Sequence, residues 1–335
     1  MTLPLDVVVQ TREHDHPGGV ADRAVQAEDH GFAYVSMGEA TGWNVASLLS
    51  VVAERTDTVG IANDVFSPWG RSPALLAQTA LTLHDLSGGR YRLGLGPSSP
   101  AITEDWHGFP FERPLRRTRE TIDVIRQVFT GERLEYNGEF FQFDGGLSYD
   151  RPVPDDPPGI DLATLGPKAV EMTGRFADGW VPQLFTADGL RDRLTDLERG
   201  AELGGRDPSE IRVSPLVRCF ASDDPARARE STRAMVAFLV GAYGPFYGKN
   251  VAEQGFEEAV DDIRAAWADR DTAAMAAACP DELLDAVAAY GTPADVRETV
   301  RSFLDVEGVD AVRAGFVSGM DESDKRKTMA ALADI

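Results

Sequence analysis

The chain has little that could be crosslinked, buried in a membrane or laid along a nucleic acid. Two cysteines, Cys219 and Cys279, occur in 335 residues. They are too few for a disulfide framework and too far apart for metal-ligand spacing, which fits a reducing cytoplasm. Lysine is nearly as scarce: Lys168, Lys249, Lys325 and Lys327 stand against 29 arginines. With a net charge of -22, the chain lacks the basic footprint that phosphate backbones require, so nucleic acid is not expected as a partner. No run approaches the ~20 apolar residues of a membrane helix. The first six residues lack the basic and apolar regions of a signal peptide, so a cytoplasmic location is expected. There is no Gly-x-Ser-x-Gly elbow, no Walker loop and no paired Cys or His ligands. The five histidines, His14, His16, His30, His84 and His107, are mostly dispersed, and no metal site is expected.

What is present is a soluble globular composition, 43% hydrophobic and 8% aromatic. The acids recur along the whole chain, as in Asp155-Asp156, Asp223-Asp224 and Asp261-Asp262. Such an acidic, lysine-poor surface suits high salt, where screening weakens self-repulsion.

Short apolar runs alternate with helical segments. Strands are predicted over 5–10, 32–37, 58–65, 91–95, 160–165, 179–182, 211–221 and 309–317. Helices are predicted over 18–30, 43–55, 72–86, 115–130, 167–177 and 187–203, with further ones after 292 and over 321–332. Ser72-Pro73 is a helix start with proline in the first turn. Asn137-Gly138 between two short runs is a hairpin signal. Residues 226–289 read as mostly helical, longer than one unit requires. We therefore expect one domain over 1–335, with a hairpin insertion at about 131–150 and a helical one at about 242–290. Eight strands, each followed by a helix, imply a parallel sheet. They favour an α/β fold of the (β/α)8 TIM-barrel type over an open doubly wound sheet. Ligands of such folds sit at the carboxyl ends of the strands.

Several motifs fall at those ends. Gly94-Leu95-Gly96-Pro97-Ser98-Ser99 resembles half a dinucleotide fingerprint. Ser99 stands where the third glycine belongs, and Arg116-Arg117 lies near where the ribose acid would be. A different phosphate or ring cradle suits it better. Leu165-Gly166-Pro167-Lys168 joins a strand to a helix start, where free backbone N–H groups and a lysine charge favour an anion. Glu39 follows the second strand, where a carboxylate could act as general acid or base or hydrogen-bond a ring. His14 and His16 end the first strand at the same mouth, and Trp106-His107 lies past the glycine loop. Phe66, Trp69, Phe109 and Phe111 could wall a ring pocket or simply pack.

Two blocks carry a resemblance. One runs from Ser72-Pro73-Ala74-Leu75-Leu76-Ala77-Gln78 to Leu86-Ser87-Gly88-Gly89-Arg90-Tyr91-Arg92-Leu93-Gly94-Leu95-Gly96. The other is Leu165-Gly166-Pro167-Lys168-Ala169-Val170-Glu171-Met172 through Ala177-Asp178-Gly179-Trp180. With them the chain resembles the bacterial-luciferase-like flavin- and deazaflavin-dependent oxidoreductases. The resemblance implies a barrel with insertions, a cofactor at the strand ends and a homodimer. Pro97-Ser98-Ser99-Pro100 and Trp106-His107-Gly108 look most like the deazaflavin branch, including its methylenetetrahydromethanopterin-reductase-like members. Coenzyme F420 is therefore the implied cofactor, with FMN the alternative, and the composition suggests a haloarchaeal source.

Residue by residue, the resemblance implies that Gly96, Pro97, Ser98 and Ser99 line the ring. Thr164, Leu165, Gly166, Pro167 and Lys168 would hold the phosphate. A non-prolyl cis peptide behind the ring would fall at Ala62–Asn63. His14, Trp43 and His107 would border the substrate, and Glu39 would relay a proton. Deazaflavin-dependent sugar-phosphate dehydrogenases carry Asp-His after the second strand and a carboxylate in the glycine loop. Here those places hold Glu39-Ala40 and Ser99, which argues against sugar-phosphate oxidation. The leading expectation is hydride transfer between the deazaflavin and a small organic substrate. The rivals are an FMN-dependent monooxygenase and a non-catalytic flavin-binding barrel.

Overall fold

A computed structural model describes residues 4–13 and 16–335. In chain order the strands are β1 (Leu5–Val8), β2 (Tyr34–Met37), β3 (Gly60–Asn63), β4 (Tyr91–Leu95), β5 (Glu135–Asn137), β6 (Gln142–Asp144), β7 (Ile160–Leu162), β8 (Gly179–Trp180), β9 (Arg212–Val213), β10 (Leu216–Ala221), β11 (Ala288–Gly291) and β12 (Val312–Phe316). Ten form one parallel sheet in the order β11-β10-β12-β1-β2-β3-β4-β7-β8-β9. The hairpin β5–β6 is a separate antiparallel pair.

The sheet curls. β9 and β10 are separated in sequence only by Ser214 and Pro215. The amides of Arg212, Ser214 and Leu216 donate in turn to the carbonyls of Asp178, Trp180 and Pro182. On the other side, the Val213 and Pro215 carbonyls accept from Asp310 and Arg313. Gln183 and Leu216 form a further parallel bridge. The single strand predicted over 211–221 is thus divided at Pro215, which has no N–H to donate.

One expectation is corrected. Residues 288–289, read as the end of a helix, begin β11, which pairs in parallel with the end of β10. The tertiary partner overrides the helix propensity of an alanine-rich run.

Helices cover the sheet, and their starts follow the sequence signals. Ser72 caps the helix Pro73–Leu86 by accepting from Leu75 N. Thr292 and Asp295 form a capping box before Pro293–Leu304. Leu5, Val7 and Val9 join the main apolar cluster between sheet and helices. The residues between them face the other way, as a strand requires. That inward side is charged. Asp6 is fully buried and accepts from Arg212 at 2.7 Å. Arg313, between Val312 and Ala314 of the cluster, reaches Asp64 at 3.0 Å. Arg92 forks onto Asp161, its Nε 3.0 and 3.1 Å from the two oxygens.

Beyond β10 the chain is mainly helical up to β11. Leu184, Val236, Val240, Ile263 and Leu284 belong to a second apolar cluster of their own. The hairpin is tethered through Glu120, whose carboxylate accepts from Glu139 N at 2.9 Å and Phe140 N at 2.8 Å. No described helix is long and apolar enough to cross a membrane.

Candidate active site at the carboxyl ends of the strands

Two open loops meet beside β4 and β7. Leu95 pairs with Leu162, and Ala163 N donates to Leu95 O at 2.9 Å. The glycine loop after Leu95 and the helix-start loop after Leu162 therefore leave the sheet side by side. Ser98 turns the first loop with φ +64°, a conformation that costs most residues energy. Ser99 O then accepts Thr103 N at 3.0 Å, opening the wide helical turn Ala101–Trp106. In the second loop Gly166 precedes the helix Pro167–Phe176 with no side-chain cap. A Cβ on Gly166 would meet nothing within 4 Å. Lys168 is exposed there. Thr164 is buried; its hydroxyl is 2.7 Å from the Thr173 hydroxyl, and its carbonyl accepts the Trp180 indole.

The cis peptide is Asp64–Val65, two residues beyond the predicted Ala62–Asn63. Ala62 and Asn63 are sealed inside the sheet. The Asn63 amide clamps β3 to β4, donating to Gly94 O at 2.6 Å and accepting Gly94 N at 2.9 Å and Tyr91 OH at 2.6 Å. Strand hydrogen bonding runs on to Asp64, whose N–H donates to Met37 O. The backbone becomes irregular only after it. Val65 then lies under the glycine loop, where a Cβ on Gly96 would sit 2.5 Å from its Cγ2.

Glu39 is paired on both oxygens. Arg71 forks onto it, Nη2 to Oε2 at 2.8 Å, and Val45 N donates to Oε2 at 2.8 Å. The Arg71 guanidinium lies over the Phe66 ring, 4.2 Å from its centroid. Glu39 thus starts a helix and anchors the loop after β3.

The remaining predicted residues scatter. His14 lies outside the described residues. Nδ1 of its neighbour His16 accepts Gly18 N at 3.0 Å and caps a helix. Trp43 is half-buried against the main core. His107 packs on Gly70, where a Cβ would meet its Cε1 at 3.1 Å. Trp69 stacks on Phe111 with centroids 5.3 Å apart, and Phe111 meets Phe246 at 6.0 Å. Among the described residues no group of three or more His, Cys, Asp or Glu could hold a metal.

Motif reading missed a set of groups on the inward face. Asp64 accepts from Arg313 at 3.0 Å and Ser36 Oγ at 3.3 Å. Arg218, Gln183 and Tyr247 gather at the mouth, the Tyr247 hydroxyl donating to Gln183 Oε1 at 3.3 Å. Burial raises the Tyr247 phenol above its ordinary value. For Asp161, burial alone would raise the carboxyl; the Arg92 charge and hydrogen bonds outweigh it and hold it below the usual range. The one visible signal was a charged residue inside five of the apolar strands, at Asp6, Arg92, Asp161, Arg218 and Arg313.

A curled parallel α/β sheet with open glycine loops at its strand ends is a framework on which such folds bind ligands. Residues 4–310 match the profile of the luciferase-like monooxygenase family, and the chain belongs to that family. It is 32% identical over 300 residues to a 5,10-methylenetetrahydromethanopterin reductase from Methanolobus tindarius, covering 88% of this chain and 89% of that one. It is also 32% identical over 243 residues to an F420-dependent glucose-6-phosphate dehydrogenase from Nakamurella multipartita, covering 67% and 70%. Its fold matches the coenzyme F420-dependent tetrahydromethanopterin reductase of Methanopyrus kandleri with a TM-score of 0.85 at 24% identity, covering 99% and 98%.

Proposed function

We propose that this chain is a coenzyme F420-dependent oxidoreductase, passing a hydride between the bound deazaflavin and a small organic substrate. The observation that carries it is the adjacency of two ligand-ready loops on neighbouring strands. Gly96 lets Val65 pack directly on the bare backbone of the loop, where a Cβ would meet its Cγ2 at 2.5 Å, and Gly166 opens an uncapped helix start beside the exposed Lys168. A ring needs the first kind of surface and a phosphate the second. Both fit the deazaflavin, which when bound supplies the two-electron chemistry, while the protein supplies position.

The roles follow the geometry. Gly96, Pro97, Ser98 and Ser99 would line the ring. Leu165, Gly166 and Lys168 would hold the phosphate through backbone N–H groups and one charge, while Pro167, which has no N–H, fixes the first turn of the helix. Thr164 supports that loop from beneath. Val65, after the cis bond, would back the ring in place of Ala62 and Asn63. Glu39, locked by Arg71, would position the β2 and β3 loops. Trp43 and His107 would border the substrate at a distance from the ring.

In the same proposal β9 and β10 count as one strand and β11, paired only with the end of β10, lies outside the ring, so that eight strands close a (β/α)8 barrel; the backbone hydrogen bonds that run on from Arg212 through Leu216 support this. The chain is then one domain over 1–335, working as a homodimer in a salt-rich cytoplasm, which its acidic surface suits.

Titration of the purified protein in high salt with F420 and with FMN, followed by ring absorbance or fluorescence, tests this. Micromolar binding of F420 is expected. Binding of FMN alone, or of neither, would overturn it. Ser99→Trp should abolish F420 binding by placing an indole on the proposed ring surface.

A further inference from the structure

Arg218 is an inward arginine without an acid. It projects from β10 on the same face as Leu216, over Gly315 of β12. A Cβ on Gly315 would lie 3.0 Å from both Arg218 Nη1 and Leu216 Cδ2. Glycine is therefore what lets the guanidinium cross the sheet. Nη1 donates to Phe316 O at 3.4 Å. Nε is buried with no acceptor, and among the described residues Arg218 has no salt-bridge partner. Its neighbours on that inward face do otherwise: Arg92, Arg212 and Arg313 each hold an aspartate. Burial with no acid in contact pulls the Arg218 guanidinium below its ordinary value, and the charge of Asp64 offsets this in part.

A second orphan donor faces the same way. Gln183 pairs with Leu216 across the parallel bridge, so their side chains share a face with Arg218. Tyr247 OH occupies Gln183 Oε1, and Gln183 Nε2 is buried without a partner. Buried donors left unpaired cost about 1–3 kcal/mol each and call for an acceptor. Two such donors on one face, and a guanidinium edge made of Nε and Nη2, match the two oxygens of a carboxylate. The short helix Pro245–Val251 roofs the place with Tyr247, and Phe246 extends the Trp69–Phe111 aromatic wall. The wall suits an apolar body behind the acid group.

We infer that Arg218, with Gln183, recognises a carboxylate on the substrate, so that this enzyme acts on a small organic acid with an apolar body. The inference rests on the F420 reading for its reaction, but not for its binding event. The residue is a specificity determinant; it holds the acid group and takes no part in the hydride step.

The test uses two pairs of probes, benzoate against benzamide and crotonate against crotonamide, at constant ionic strength. Each is titrated by calorimetry into F420-loaded protein and into cofactor-free protein. The wild type should bind each carboxylate at least tenfold more tightly than its amide. Arg218→Met should bring the ratio near one, with F420 affinity unchanged. Arg218→Lys keeps the charge but loses the fork, and should keep less than a third of the preference. Gln183→Leu, a milder change, should weaken the carboxylates several-fold if Arg218→Met fails to fold. Equal binding of acid and amide by the wild type, or binding of neither, overturns the inference. So does a loss of F420 affinity in Arg218→Met, which would assign the arginine to the ring. Carboxylate preference in a wild type that binds no F420 would support Arg218 and sink the cofactor reading alone.

Discussion

Replacing Gly94 and Gly166 each by alanine separates a glycine that holds the sheet together from one that leaves room for a ligand. At Gly94 a Cβ would enter the Asn63 carbonyl, with the carbonyl carbon only 3.2 Å away. β3 and β4 would have to part by roughly 1 Å to restore an ordinary C···O distance of about 3.3 Å. Parting them stretches both Asn63–Gly94 hydrogen bonds. Overpacking costs about 1–3 kcal/mol and each weakened hydrogen bond about 1 kcal/mol, so a loss of about 3 kcal/mol is expected. At about 2.1 cal/mol/K per residue the unfolding entropy of a chain this long is about 0.7 kcal/mol/K, which places the melting shift near 4 °C. At Gly166 the space is empty and φ is -74°, which alanine adopts freely. The smaller entropy of the unfolded chain and the poorer helix cap oppose each other within about 0.5 kcal/mol. Its melting temperature should stay within about 1 °C, while its F420 dissociation constant rises about tenfold, or 1.4 kcal/mol. Circular dichroism melts in high salt and fluorescence titration read the two quantities. Gly166→Ala losing several degrees while keeping full affinity, or Gly94→Ala melting with the wild type, would refute the reasoning.

Asp161→Asn leaves Arg92 buried without its charge partner and should cost about 3–5 kcal/mol; denaturant midpoints check this against Asp188→Asn, whose pair is exposed. The carboxyls of Asp161, Glu28 and Glu120 are held below their usual range. Their contribution is therefore full above the unfolded carboxyl pKa values of about 4 and lost as pH falls through the lower folded values, so melting temperature should fall steadily below about pH 4.5. A flat melting temperature down to pH 3 would contradict it. Glu120→Gln should loosen the hairpin, by about 1–2 kcal/mol, and speed proteolytic nicking between β5 and β6 without altering the far-ultraviolet spectrum. Burial pushes the Cys219 thiol up to about 12 and the Cys279 thiol to about 11. Both should resist a thiol reagent at pH 8 and react together on unfolding; rapid labelling of either in the native state would count against the packing.

Much of the fold was legible because strands and helices write their periods into the chain locally. LDVVV, YVSM and VRAGF alternate or run apolar over lengths suited to buried parallel strands. Ser72-Pro73, Thr292-Pro293 and Asn137-Gly138 mark their turns by chemistry confined to a few residues. β11 was not legible, because an alanine-rich helix end becomes a strand only when β10 offers its edge. The cis bond was misplaced for a similar reason. Where β3 stops is decided by Met37 accepting from Asp64, a contact between two strands. Glu39 at the mouth was visible, but not Arg71, which takes both its oxygens from 32 residues away.

The sequence by itself determined the alternating α/β architecture, the glycine loop after β4, the helix-start loop after β7 and the family resemblance. Each depends on neighbours in the chain. Only the tertiary structure decided which charges neutralise one another. Asp6, Arg92, Asp161, Arg212 and Arg313 look alike in sequence to Arg218, being charges in or beside short strands. Folding brings an opposite charge to each member of the first group and leaves Arg218 with an unpaired donor. Pairing is a matter of distance across the curled sheet, and distance between strands is not written in either strand alone.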